Sequence, residues 1–126
     1  MKHLDIGSGL KPENPYGADE LYGIDIQDNI HNIPNYKSVN LFTNKIPFDG
    51  EFFDSISAFD FLEHVPRVWI RDNGQSSFPF IDLMNEIHRV LKPKGKFYAM
   101  TPFFPKHEAF QDPTHVNIIT KKTHEY

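Results

Sequence analysis

The segment FDFLEHV carries three side chains of metal-binding type within a short stretch. If a helix begins near Asp60, then Asp60, Glu63 and His64 stand at positions i, i+3 and i+4, on one face of one turn. Two carboxylates and an imidazole in that arrangement suit a hard-to-borderline divalent cation. A fourth ligand is expected from the later segment TPFFPKHEAFQDPTHVN, through His115 or His107.

The same side chains support two other interpretations. His64 or His115 can act as a metal-free general base, because an unperturbed imidazole has a pKa of about 6.5. In a purely structural interpretation, Asp60 caps the helix, Glu63 completes the capping arrangement and His64 packs under the following loop. The sequence leaves all three open.

The segment LDIGSG, at residues 4–9, predicts a nucleotide-binding turn. Its glycines let a ligand approach the backbone closely, and Asp25, at the end of the next apolar segment, can accept hydrogen bonds from both hydroxyls of a ribose. A dinucleotide-binding loop would have a third glycine where Pro12 stands. Because proline and its neighbours disfavour a helix there, a pyrophosphate loses the helix N-terminus that normally holds it. The segment therefore favours an adenosine ligand without phosphates.

Hydrophobic periodicity predicts five strands and one helix around these segments. The helix is PFIDLMNEIHRVLK, whose apolar residues from Phe80 to Leu91 recur at helical spacing, and KPKG ends it. Residues 66–79 and 102–117 are expected to be irregular. The predicted strands are 2–6, 21–26, 37–41, 52–59 and 94–102.

Strands separated by crossovers, two of them almost wholly apolar, predict an α/β fold with a parallel sheet covered on both faces. Ligands of such sheets bind beyond the carboxyl ends of the strands, where the strand order reverses. The turn at residues 7–9, Asp25 and Asp60 should therefore meet at one rim. The first crossover is expected to be a proline-rich loop in place of a helix, leaving the sheet face near the first strand less covered.

Four motifs in this order resemble those of class I S-adenosylmethionine-dependent methyltransferases of the methyltransferase type 11 group, over residues 3 to 120. They are LDIGSG, YGIDI, IPFDGEFFDSISAFDFLEHVPR and LMNEIHRVLKPKGKFYAMTP. The resemblance implies a Rossmann-like, mostly parallel sheet of strand order 3-2-1-4-5. It also implies S-adenosylmethionine as the cofactor and methyl transfer as the activity.

The cofactor-binding residues that the resemblance implies lie at the ends of the first four strands. The glycine turn would hold the methionine end of the cofactor. The acid that ends the second strand would bind the ribose, and the residue after it would pack on the adenine face. The segment after the third strand would flank the adenine edge, and the end of the fourth strand would lie near the amine and methyl. In chain order these residues are Asp5, Gly7, Ser8 and Gly9; Asp25 and Ile26; Asn40 and Leu41; Ala58, through its carbonyl, and Phe59.

The Asp60-x-x-Glu63-His64 element also resembles the metal-binding element of ubiquinone-biosynthesis O-methyltransferases and small-RNA 2′-O-methyltransferases, which have Glu where Asp60 stands. This resemblance implies a divalent metal such as Mg²⁺ at Asp60, Glu63, His64 and His115. It also implies O-methyl transfer, with a small molecule or glycan as acceptor. A metal would lower the pKa of the acceptor hydroxyl and orient it, and His64 and His115 are the catalytic candidates.

Composition excludes several classes of function. A net charge of −4 and a pI near 5.9 argue against affinity for nucleic acid through bulk charge. The absence of cysteine excludes thiolate chemistry. No apolar stretch approaches the roughly 18 residues of a membrane span, so no membrane partner and a cytoplasmic location are expected.

The resembled family normally has further strands after the fifth and helices before the first. A single, partial domain over residues 1–126, truncated after the fifth strand, is therefore expected, with homo-oligomerisation through an exposed strand edge. Two rival interpretations remain. One is a non-catalytic cofactor-binding fragment that needs a partner chain, and the other is a nicotinamide-dependent oxidoreductase, which Pro12 disfavours.

Overall fold

The computed structural model describes residues 1–125, in which five parallel strands form one sheet and a single α-helix directly precedes the last of these strands. The elements are β1 (Lys2–Ile6), β2 (Glu20–Asp25), β3 (Tyr36–Ser38), β4 (Phe53–Phe59), β5 (Trp69–Ile70), β6 (Ser76–Ser77), α1 (Pro79–Val90) and β7 (Leu91–Met100). Short 3-10 helices cover Leu62–His64, His107–Ala109 and Thr123–Glu125.

The strand order of the sheet is β3-β2-β1-β4-β7, and every neighbouring pair is parallel. With β7 as the fifth predicted strand, this confirms the expected α/β Rossmann-like topology and the order 3-2-1-4-5. The order reverses between β1 and β4, so a ligand site is expected beyond the carboxyl end of β1.

One face of the sheet is apolar and packs against α1. Leu4 and Ile6 of β1 are paired with Ile56 and Ala58 of β4, and all four side chains are fully buried. The helix contributes a stripe of buried residues to the same core, namely Leu83, Ile87 and Val90. Each such side chain contributes about 1.5–3 kcal/mol when removed from water, so this layer is the main source of stability.

The other face carries polar side chains on β1 and β4 and is covered by the loop at residues 10–19. His3 and Asp5 are 0% and 2% exposed, so the expectation that this face is less covered was wrong. The loop packs closely because Gly23 lacks a side chain: a Cβ atom there would lie 2.5 Å from Cγ of Pro12. Further along this face, Tyr98 and Met100 of β7 are exposed, so the expectation of a sheet covered on both faces was also wrong.

Three predicted boundaries differ from the structure. The connection at 66–79 contains the antiparallel pair β5–β6, because a turn closed by the Gly74 amide brings Arg71 to Gln75. The helix ends at Val90 and β7 starts at once, its register with β4 broken by a bulge in which Lys94 has a φ of 66°. β3 is shorter than predicted, so Asn40 and Leu41 lie in the loop after it.

No helix within residues 1–125 combines the length and the apolar character that crossing a membrane requires.

Candidate functional site

A cleft of about 130 Å³ opens at the carboxyl ends of β1 and β2. Its walls are mostly apolar, and its one ionisable side chain is a carboxylate at the end of β2. The lining residues are Gly7, Ile24, Asp25, Ile26, Val39, Asn40, Leu41, Phe42 and Phe61.

The glycine turn is fixed from both sides by hydrogen bonds. The amides of Gly7 and Ser8 donate to the carbonyl of Ile24, at 2.8 and 3.1 Å. The amide of Gly9 donates to Oδ2 of Asp25 at 3.0 Å, and the amide of Gln27 donates to Oδ1 at the same distance. Each carboxylate oxygen still has accepting capacity, so Asp25 can bind a ligand hydroxyl while it holds the turn.

The ring of Phe61 lies directly over Gly7. A Cβ atom at Gly7 would lie 2.5 Å from Cδ2 of that ring, and Gly7 has a φ of 68°, so both space and backbone require glycine. Phe61 was missed by sequence reasoning, which assigned Phe59 to the cofactor. The alternation of side chains along β4 gives no signal for Phe61 because it lies beyond the strand.

The structure brings half of the predicted cofactor-binding residues to this cleft, namely Gly7, Asp25, Ile26, Asn40 and Leu41. The other five do not line it. Ser8 donates its hydroxyl to the carbonyl of Gly9, the side chain of Ala58 is fully buried, and Phe59 packs near Tyr98 with ring centroids 5.6 Å apart.

Asp5 takes part in a buried hydrogen-bond chain behind the turn. Its Oδ1 accepts from the hydroxyl of Ser57 at 2.6 Å, and its Oδ2 accepts from the amide of Glu13 at 2.8 Å. The ring of His3 lies 2.9 Å from the same hydroxyl and 2.7 Å from that of Ser55. Burial raises the pKa of Asp5 and lowers that of His3 to about 4. Asp5 thus anchors the proline-rich loop to the sheet.

A second polar cluster forms where the 3-10 turn Leu62–His64 meets the loop after β7. Nε2 of His64 lies 3.8 Å from Oε1 of Glu63, and Nε2 of His115 lies 4.0 Å from the same oxygen. One ligand atom from each of these three residues falls within 4.8 Å of the others, a spacing that a metal ion can bridge. The predicted convergence of Glu63, His64 and His115 is therefore present in the structure.

The Nδ1 atom of each of these two imidazoles lies within hydrogen-bond distance of a backbone carbonyl. Nδ1 of His64 lies 3.1 Å from the carbonyl of Thr114, and Nδ1 of His115 lies 3.2 Å from the carbonyl of Ala109. A carbonyl only accepts, so each Nδ1 carries a proton and each neutral ring presents an Nε2 lone pair. This fixed tautomer is the form in which histidine binds a metal or accepts a proton.

Glu63 is the buried member of the cluster, at 2% exposure. Its Oε2 atom has no hydrogen-bond partner among the described residues, and burial raises the pKa of its carboxyl group. A buried carboxylate oxygen without a partner costs stability unless a cation or a proton occupies the space beside it. The donor set therefore fits a divalent metal ion.

A comparison with protein families finds one whose description is "Methyltransferase domain", matching residues 1–123. The chain belongs to this methyltransferase family. The match confirms the resemblance to class I S-adenosylmethionine-dependent methyltransferases. No curated protein matches the chain significantly.

In this methyltransferase domain, the structure does not bring Asp60 into the group of converging ligand atoms that Glu63, His64 and His115 form. Asp60 has a φ of 48° and its amide donates to the carbonyl of Met100 at 2.8 Å. Asp60 is therefore not part of a helix, and the 3-10 turn starts later, at Leu62. The residue is exposed and outside the group of converging ligand atoms, as is His107, the alternative fourth ligand.

The methyltransferase has another acid close to the cluster that sequence reasoning missed. Oδ2 of Asp112 lies 3.8 Å from Nε2 of His115, and its Oδ1 accepts from the amide and hydroxyl of Thr114. The segment DPTH held a signal for it, since Asp112 and His115 stand at positions i and i+3. Asp112 is therefore a candidate fourth ligand in place of Asp60.

The loop that carries His115 is held against the turn by backbone contacts. The amides of Val116 and Asn117 both donate to the carbonyl of Glu63, at 2.9 and 3.0 Å. These bonds join segments more than 50 positions apart in the chain, and they set His115 beside Glu63.

Proposed function

We propose that this domain transfers a methyl group from S-adenosylmethionine to an oxygen atom of a small molecule or glycan. The observation that carries the proposal is the cleft in which the Asp25 carboxylate faces the Gly7 turn, at the reversal of strand order in a methyltransferase domain. Asp25 would hold the ribose, and Ile26 and Leu41 would supply the apolar surface for the adenine.

The residues of the cleft fit a nucleoside without phosphates. Between Ile6 and Glu20 the described chain forms a loop with no helix, so it offers no helix N-terminus to a pyrophosphate. The cleft is smaller than the roughly 300 Å³ of a typical ligand pocket. Since Phe61 covers Gly7, movement of its ring is the simplest way to enlarge the cleft.

We also propose a divalent metal at Glu63, His64 and His115, with Asp112 as the nearest further carboxylate. Two imidazole nitrogens favour a borderline ion such as Zn²⁺, Fe²⁺ or Mn²⁺ over the Mg²⁺ expected from the sequence, because Mg²⁺ prefers oxygen ligands. Such an ion would lower the pKa of an acceptor hydroxyl. The cluster would hold and orient that hydroxyl, while methyl transfer itself depends mainly on positioning.

A metal-free role for the same histidines is the second candidate. Nε2 of His64 and of His115 are unprotonated in the neutral tautomer that their Nδ1 contacts impose, so either can accept the proton of an acceptor hydroxyl. Retained activity after chelation, with loss in His64→Gln or His115→Gln, would favour this base over the metal.

Calorimetry with S-adenosylhomocysteine and with NAD tests the cofactor assignment. Binding of S-adenosylhomocysteine alone supports it, and binding of NAD alone would favour the oxidoreductase. Transfer from methyl-labelled S-adenosylmethionine to phenols, catechols and glycans then tests the activity. Cofactor binding without transfer to any acceptor would favour a non-catalytic fragment that needs a partner chain.

Self-association is a further proposal. Among residues 1–125, β7 pairs only with β4, so its other edge offers unpaired backbone groups to a second copy. Light scattering after size exclusion would show a dimer or larger assembly if this edge is used, and a monomer at all concentrations would refute it.

A further inference from the structure

A second cavity shares no lining residue with the cofactor cleft. It measures about 820 Å³ and lies between the β5–β6 hairpin, the start of α1 and the loops after β7. This volume is within the range of about 300–1,000 Å³ typical of small-molecule pockets. Nothing in the proposed methyl transfer assigns a role to it.

The floor of the cavity is apolar and accessible. Phe78, Ile81 and Phe104 line it, and their side chains are 47%, 57% and 52% exposed. A contiguous patch of exposed large apolar side chains indicates a binding surface, whereas single exposed apolar side chains scattered over a surface are normal.

The charges around the cavity all have one sign. Arg67 and Lys122 line it, and no acidic residue does. Within the described part of the chain neither cation forms an ion pair, although the protein as a whole carries a net charge of −4. An apolar floor beside two unpaired cations is complementary to a ligand with an apolar body and an anionic group.

Arg67 is held in place for such a contact. Its Nε donates to Oδ1 of Asn117 and its Nη2 donates to the carbonyl of Ile118 at 2.7 Å. Asn117 is buried, and its amide donates to the carbonyl of Glu63. Asn117 therefore connects Arg67, at the cavity, with Glu63, in the metal-type cluster.

We propose that this cavity binds a small amphipathic anion, with its apolar body against Phe78, Ile81 and Phe104 and its carboxylate, sulfonate or phosphate between Arg67 and Lys122. The proposal does not depend on methyl transfer or on a metal. Because Asn117 contacts both Arg67 and Glu63, binding is also expected to change the environment of the Glu63 cluster.

A matched pair of probes, 1-naphthylacetate and the neutral 1-naphthylacetamide, tests the proposal by calorimetry and by amide chemical shifts. We expect one equivalent of the anion to bind about fivefold more tightly than the amide at low salt, with a preference that falls as salt is added. Shifts should include the amides of Ile81, Phe104 and Asn117.

Two pairs of variants distinguish the contribution of the cavity's positive charge to binding from that of its apolar surface. Lys122→Ala should bring the affinity for the anion close to that for the amide, while Lys121→Ala, whose side chain does not line the cavity, should not. Ile81→Asp should abolish binding of both probes, and Ile30→Asp, another exposed isoleucine outside the cavity, should leave it intact. Circular dichroism checks that each variant is folded.

Equal affinity for the two probes, equal effects of Lys121→Ala and Lys122→Ala, or no binding by the folded protein would each overturn the proposal. A mass that doubles with concentration, accompanied by loss of probe binding, would assign the surface to a second copy of the chain and would also overturn it.

Discussion

Oδ2 of Asp25 accepts a hydrogen bond from the amide of Gly9 at 3.0 Å, across 16 positions of the chain. The bond joins the end of β2 to the turn after β1. The same carboxylate lines the cleft, so one side chain both fixes the glycine turn and faces the cleft. A substitution at Asp25 should therefore weaken cofactor binding in two ways, by removing the carboxylate from the cleft and by releasing the glycine turn.

Asp25→Ala should weaken S-adenosylhomocysteine binding by about 1–3 kcal/mol, because charge-assisted hydrogen bonds to the ribose are lost. Calorimetry measures the change, and Asp28→Ala, an exposed acid outside the cleft, is the control. Unchanged affinity in Asp25→Ala would refute the ribose-binding role.

Gly7→Ala should lower the free energy of unfolding by about 2–4 kcal/mol, since a left-handed backbone and the overlap with Phe61 add together. In a Phe61→Ala background the overlap is gone, so the same substitution should cost only about 1–2 kcal/mol. Urea unfolding of the double-mutant cycle measures both values. Equal costs in the two backgrounds would show that Phe61 does not lie over Gly7.

Addition of Zn²⁺ or Mn²⁺ should raise the free energy of unfolding of the unmodified protein, by about 2.7 kcal/mol at 100 times the dissociation constant. Glu63→Gln and His115→Gln should lose most of this increase, while Asp60→Asn should keep it, because Asp60 lies outside the cluster. Thermal unfolding with each metal measures the stabilisation of each protein, and elemental analysis shows whether the purified protein contains a divalent ion. If no divalent ion stabilises the protein, the metal site is excluded and the histidine base remains.

His3 should make the protein less stable as the pH falls below about 6.5. Burial lowers the pKa of folded His3 to about 4, so between these values the unfolded chain binds a proton that the folded chain does not. The loss is about 2–3 kcal/mol at pH 4, since each pKa unit corresponds to about 1.4 kcal/mol.

The burial-raised pKa values of Asp5 and Glu63 act in the opposite direction, so a comparison with His3→Gln is needed. Urea unfolding between pH 7 and 4 should show the unmodified protein losing stability relative to this variant, which does not titrate. Parallel pH profiles would contradict the prediction.

The sequence predicted the strands and the glycine turn from local patterns, and the resemblance to the methyltransferases supplied the strand order, which the structure confirms. Apolar segments ending in glycine or an acid identify buried parallel strands and the residues at their carboxyl ends, which is why Gly7 and Asp25 were found. The helix was found for the same reason, from the 3.6-residue period of its apolar residues. The loop from Pro12 to Asp19 was also expected, because proline prevents a helix there.

Only the tertiary structure decided which side chains meet. His115 joins Glu63 through backbone hydrogen bonds between segments far apart in the chain, and Phe61 covers Gly7 across the sheet edge. Asp60 lies outside the cluster, its backbone is left-handed, and the 3-10 turn starts two residues later, at Leu62. Periodicity reports which residues share one element, whereas a site built from several loops depends on how those loops pack, and no spacing along the chain encodes that.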